Sequence, residues 1–192
     1  MLEIPAPWPE PAATGTRWQG LPPVASDATV VLVLGSFPSV ASLRAQQYYG
    51  HPQNQFWRIL QALWPQHPLP PAAGHYAQRC AWLLERRLGV WDVYASCERQ
   101  GSLDSAIRQA QVNDFHHLLQ ACPSLAAIAH NGAQSYKHAP AVLRSLQEAG
   151  GTASVRQLES VKLPSTSPAN AAWSFERKLA AWGALMAAHG LL

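Results

Sequence analysis

The residues with chemical potential in this 192-residue chain follow its apolar runs. Residues 30–34 (VVLVL) stop at Gly35-Ser36-Phe37-Pro38-Ser39, and Tyr48, Tyr49, His51, Asn54, Phe56 and Trp57 come soon after. A buried strand that ends in a turn is where an open α/β sheet places its ligand. The aromatic rings and the Asn amide suit the holding of a planar heterocycle. Two further apolar runs end in the same way, one at Asn131-Gly132 and one at Pro164-Ser165-Thr166-Ser167-Pro168.

Familiar catalytic patterns are absent. The 35–39 turn lacks the second Gly and the Lys-Ser/Thr of a phosphate-binding loop, and Gly-x-Ser-x-Gly does not occur. No spacing among the eight histidines supports a Ser-His-Asp triad. Each polar cluster also has a purely structural reading. Gly35 serves a tight turn, Asn54 a hydrogen bond at a helix start, and Asn131-Gly132 a turn. Ser167-Pro168 reads as an N-cap followed by a first helical residue. Their joint placement at strand ends is what favours a site.

The elements that must position these residues read as strands alternating with helices. Strands are expected at about 29–34, 90–94, 125–130 and 154–163. Helices are expected at about 52–64, 75–88, 139–149 (ending at Gly150-Gly151) and 170–188, with short turns capped by Ser102 or Ser105 and another after Asp114. Pro52 falls in the first turn of its helix, which aims Asn54 at the strand ends. The stretch ASCERQGS reads as a loop. The alternation predicts an α/β fold, a three-layer α/β/α sandwich around a four-stranded parallel sheet. The polar turns GSFPS, ASCERQGS, HNG and LPSTSPAN then converge beyond the strands' carboxyl ends. Six prolines within residues 1–23 predict an extended arm, which Trp8 and Trp18 could pin to a single domain over 24–192.

Bulk composition narrows the class. Apolar residues make up 48% and charged residues 13%, which excludes global disorder. The net charge of +3 comes from scattered basic residues, permitting a polyanionic partner without a basic stripe. Cys80, Cys97 and Cys122 form no C-x-x-C pair, so reduced thiols and a cytoplasmic location are expected. No leader pattern or membrane-length apolar run is seen, and no membrane association is expected.

Taken together, LGSFPS, YYGHPQNQFW, GVWDVYASCERQGSLDSAI, HNG and LPSTSPANA resemble the hypoxanthine (deoxyinosine) branch of the uracil-DNA glycosylase superfamily, over about residues 20–180. HPQNQFW is also similar to the HPxNRFW element of mismatch-specific uracil glycosylases. The resemblance implies a monofunctional DNA glycosylase of base excision repair. It would act as a monomer on double-stranded DNA containing a deaminated base, leave an abasic site, and need no metal or organic cofactor. Phe37 stands where uracil-cleaving relatives carry a water-positioning Asn or acidic residue. The resemblance gives that duty to Asn54. It implies base contacts from Gly35, Ser36, Phe37, Tyr49 and Asn131, with support from Pro38, Ser39 and His51. It also implies phosphate contacts from Pro164, Ser165, Thr166 and Ser167, with Pro164 or Thr166 near the gap in the duplex. A uracil- or thymine-mismatch glycosylase, a non-enzymatic DNA-binding module using Tyr48, Tyr49 and Trp57, and a nucleoside hydrolase are the competing readings.

Overall fold

The computed structural model of the protein describes residues 17–154 and 158–192. The first sixteen residues of the proline-rich stretch lie outside them. Residues 17–23 pack on the body: β1 (Arg17–Gln19) pairs antiparallel with β4 (Tyr94–Glu98). Trp18 is buried, and its indole N–H donates to Arg99 O at 3.0 Å.

The main sheet holds β3 (Leu88–Asp92), β2 (Val31–Gly35), β6 (Ala127–Asn131) and β7 (Glu159–Leu163) side by side in that order, all parallel. β2 is buried along its whole length because helices cover the sheet, so its sequence is a continuous apolar run rather than an alternating one. The outer edge of β3 is sealed by Val24, which exchanges two backbone hydrogen bonds with Val90 at 2.8 and 2.9 Å. Flanking the sheet are α1 (Val40–Ala45), α2 (Phe56–Leu63), α3 (Tyr76–Glu85), α4 (Leu118–Ala121), α5 (Ala133–Tyr136), α6 (Ala139–Ser154) and α7 (Phe175–Ala188). The α/β/α sandwich expected from the alternation of elements is the observed architecture.

Local expectations fail in five places. The first half of ASCERQGS is strand: β4 joins β1 and β5 (Arg108–Val112) in a second, antiparallel sheet. β5 is exposed at every position, so it carries no two-residue periodicity to betray it. Only a single 3-10 turn, Asp104–Ala106, forms near Ser102 and Ser105, and neither side chain caps it. α6 runs through Gly150-Gly151 to Ser154. A glycine weakens a helix by about 1 kcal/mol and ends it only where the chain leaves the helical region.

The remaining two failures concern helix starts that border the site. α2 begins at Phe56 rather than at Pro52, because Asn54 Oδ1 accepts from Phe56 N at 3.0 Å and closes a turn just before the helix. α7 begins at Phe175, capped by Ser174, whose Oγ accepts from Arg177 N; Ser167-Pro168 lies in the preceding loop.

α2 and α7 meet through Phe56 and Trp182, both fully buried, with ring centroids 5.9 Å apart and edge-to-face. Phe56 also stacks under Tyr49 at 3.9 Å. Phe56→Ala therefore opens a cavity beneath the site and is expected to cost about 3–5 kcal/mol of stability. The shift of the urea denaturation midpoint measures it.

Candidate active site

The carboxyl ends of the parallel strands surround a cavity of about 740 Å³. Its wall is built from the turn after β2, the 102–105 segment, the residues after β6 and the loop after β7, so the four polar turns do converge.

At its floor the register pairs Gly35 with Asp92 across β2 and β3. A Cβ on Gly35 would lie 2.2 Å from Asp92 Oδ1, so only glycine lets that carboxyl lie over the end of β2. Asp92 is buried, and its Oδ2 has no hydrogen-bond partner among the described residues. Burial pushes its pKa up to about 8; the nearby Asp104 carboxyl adds to the rise, and Arg99 opposes it. A neutral carboxylic acid therefore faces the cavity at neutral pH.

Ser36 and Phe37 continue the floor. Ser36 Oγ donates to Asp104 Oδ1 at 2.7 Å, drawing the 102–105 segment to the turn. Phe37 is buried beneath the Arg99 guanidinium, 5.0 Å from its ring centroid, and Arg99 also donates to Pro38 O. The buried ring leaves no polar side chain at position 37. Ser39 caps α1, accepting from Ser42 N at 3.1 Å.

Tyr49 and Asn54 border the cavity from the next segment. Tyr49 has a left-handed φ of 54° that turns its ring onto Phe56. Burial raises its hydroxyl pKa, keeping it a neutral hydrogen-bonding group. Asn54 is half-buried, and its amide plane is set by the bond from Phe56 N. The other lone pair of Oδ1 is not engaged among the described residues. His51 does not reach this cavity. It borders a neighbouring one, where its Nδ1 accepts from Gln53 N and its carbonyl accepts from Asn54 N. Tyr48 is buried, with its hydroxyl donating to Leu21 O, so it offers no stacking face.

Asn131 departs from the expected base contact. Its Nδ2 donates to Tyr49 Oη at 3.1 Å and to Thr166 Oγ1 at 2.9 Å, while its Oδ1 accepts from Thr166 N at 2.9 Å. Both amide protons are consumed, so Asn131 positions other groups. Thr166 is fully buried by the same bonds, which corrects its expected place on a phosphate or in the duplex gap. Pro164 O accepts from Trp182 Nε1, and Ser165 and Ser167 receive backbone N–H bonds within the loop. Gly132, with φ 107°, lets Ser165 approach: a Cβ there would lie 2.9 Å from that of Ser165.

Asp92, Asp104, Gln134, Lys162 and Trp173 line the cavity without having been singled out from the sequence. Asp92 did carry a signal, since an acid stands at the end of the otherwise apolar GVWD run. Asp104 lay inside a quoted motif with no role attached. Lys162 and Trp173 gave none.

The model of the uracil DNA glycosylase superfamily matches residues 22–186. A hypoxanthine DNA glycosylase of Methanosarcina acetivorans is 36% identical over 160 residues, covering 83% of this chain and 92% of the relative. One of Methanosarcina barkeri is 36% identical over 128 residues, 67% of this chain and 78% of the relative. A solution NMR structure from M. acetivorans, provisionally assigned as a uracil DNA glycosylase, superposes with a TM-score of 0.73 at 34% identity, covering 91% of this chain and 99% of that one. The chain belongs to the uracil DNA glycosylase superfamily.

Proposed function

We propose that the protein is a monofunctional DNA glycosylase of base excision repair that releases a deaminated purine, hypoxanthine, from double-stranded DNA and leaves an abasic site. The observation that carries this reading is Asn54: a carboxamide on the cavity wall, locked by Phe56 N, opposite a turn whose corresponding residue is the buried Phe37. The name of the Methanosarcina relatives supports the choice of base.

The reaction breaks the bond between N9 and C1′. Its electron pair leaves with the base, water oxygen bonds to C1′, and the base ends protonated. A carboxamide is no base at neutral pH, so Asn54 acts by orientation: its free Oδ1 lone pair accepts from the attacking water. The target lies within the stack and must be flipped out, which costs a few kcal/mol and least for a poorly paired lesion. Hypoxanthine opposite thymine is such a lesion. The protein acts as a monomer in the cytoplasm.

Asp92 supplies the other half. Its neutral acid donates a hydrogen bond to hypoxanthine O6, and the bond strengthens as negative charge spreads onto the departing purine. An ionised carboxylate at the same place would repel that charge.

Asn54→Ala is expected to slow hypoxanthine release about a hundredfold or more, while circular dichroism and DNA binding stay as in the wild type. Cleavage of oligonucleotides carrying one hypoxanthine or one uracil, read after alkali, tests the substrate. Faster release of uracil, the base in the assignment of the solved relative, would sink the hypoxanthine reading. Intact binding with no base release by the wild type would favour a binding module. Turnover of free inosine would favour a nucleoside hydrolase.

Asp92 is neutral below about pH 8 and ionised above it, so kcat/KM is expected to fall as pH rises through that value. Asp92→Asn keeps an N–H donor and cannot ionise, so that alkaline limb should vanish. Profiles of both proteins over about pH 6 to 10 check it.

A further inference from the structure

A second cavity, of about 600 Å³, adjoins the first, and Tyr49 and Asn54 line both. Its walls come from the 47–54 segment, α2, α3, the loop between those helices and Phe175 at the start of α7. The size is that of a small-molecule site. The loop over it is tied to both helices: Gln61 Oε1 of α2 accepts from Leu69 N, and Arg79 Nε of α3 donates to Pro70 O at 2.8 Å. The space is therefore built by fixed elements rather than left under a loose loop.

Its charged lining consists of donors. Arg58 lies over the Phe175 ring, 5.1 Å from the centroid, and Arg79 lies over Trp57 at 5.2 Å. The rings set the guanidinium planes and leave their N–H edges free. Among the described residues, neither guanidinium has a carboxylate partner, and the terminal nitrogens of both make no hydrogen bond. His51 Nδ1 accepts from Gln53 N at 3.2 Å, so the neutral ring carries its proton on Nε2. No Asp or Glu lines the cavity. Leu69, Ala62 and Ala72 join the two aromatic residues in an apolar wall suited to a flat ring.

Two guanidiniums and an imidazole N–H match an anion with several free oxygens. A phosphate monoester offers three, with a charge of about −1.5 to −2 at neutral pH. A backbone phosphodiester offers only two non-bridging oxygens and a single charge. The apolar wall matches a ring attached to that phosphate.

We propose that this second cavity binds a free nucleoside monophosphate, its phosphate held by Arg58 and Arg79 and its base set against the apolar wall. The proposal goes beyond the glycosylase reading and does not depend on it. Adenosine 5′-monophosphate is the probe, titrated into the full chain by calorimetry and followed in the indole N–H resonances. Binding is expected to saturate, to be at least about tenfold weaker for adenosine or inorganic phosphate alone, and to weaken about tenfold in Arg58→Gln and in Arg79→Gln. Arg58 is exposed and makes no hydrogen bond among the described residues, so Arg58→Gln should keep the wild-type urea midpoint. The Trp57 indole resonance should shift while that of Trp173, in the first cavity, stays in place. No saturable binding, equal binding of adenosine, or equal binding of inorganic phosphate overturns the proposal. A shift at Trp173 alone puts the probe in the first cavity and overturns it too. Loss of duplex binding in both variants with an unchanged nucleotide titration would make the cavity part of the DNA-facing surface, which also sinks it.

Discussion

The site depends on one half-buried carboxamide. Asn131 ends β6 and joins Tyr49, Thr166 and, through Thr166, the start of α2, since Thr166 O accepts from Gln55 N at 3.0 Å. Gln55 in turn accepts from the buried Lys178 of α7 at 2.9 Å. Asn54 therefore takes its place from a chain of bonds that crosses three segments remote in sequence. Thr166 N is a donor only, so the amide oxygen of Asn131 must face it and both amide protons must face the two hydroxyls. That leaves a single orientation. Each bond contributes about 1 kcal/mol net, but an unpaired group in this buried setting costs more than a made bond gains, which holds the network to one arrangement.

The floor of the cavity is defined by the exclusion of water. Gly35 admits the Asp92 carboxyl, β2 and β3 bury it, and its pKa rises accordingly. Phe37 fills the neighbouring space under Arg99. Desolvation thus gives a donor near neutral pH from a residue type that normally only accepts. The buried Phe37 and the buried Asp92 belong to the same floor.

How much of this could be read in the chain follows from what each signal measures. Strands β2 and β6 and the apolar faces of α2 and α7 show as continuous runs or helical spacing, because burial selects for them. β5 stayed hidden because it buries nothing, and its pairing with β4 is a property of the folded neighbourhood. In the site, Gly35, Asn54 and Tyr49 were legible as polar or conformationally special residues after a strand. The roles of Asn131 and Thr166 were not. A side-chain amide that reads as a base contact in sequence becomes a brace once partners 35 and 82 residues away reach it. Lys162, Asp104 and Trp173 came together around the cavity only through the folding of separate elements.

The proposed function gives the attacking water to Asn54 rather than to the 35–37 turn. Both border the same cavity, and Asn54 also borders the neighbouring one that His51 lines. The start of α2 is braced from two sides, its backbone tied through Gln55 N to Thr166 and the Asn54 side chain to Phe56 N. Orientation of a water tolerates little displacement: about 1 Å can cost a hundredfold in rate. A residue fixed from both backbone and side chain suits that demand, while the turn packs Phe37 into the floor of the pocket.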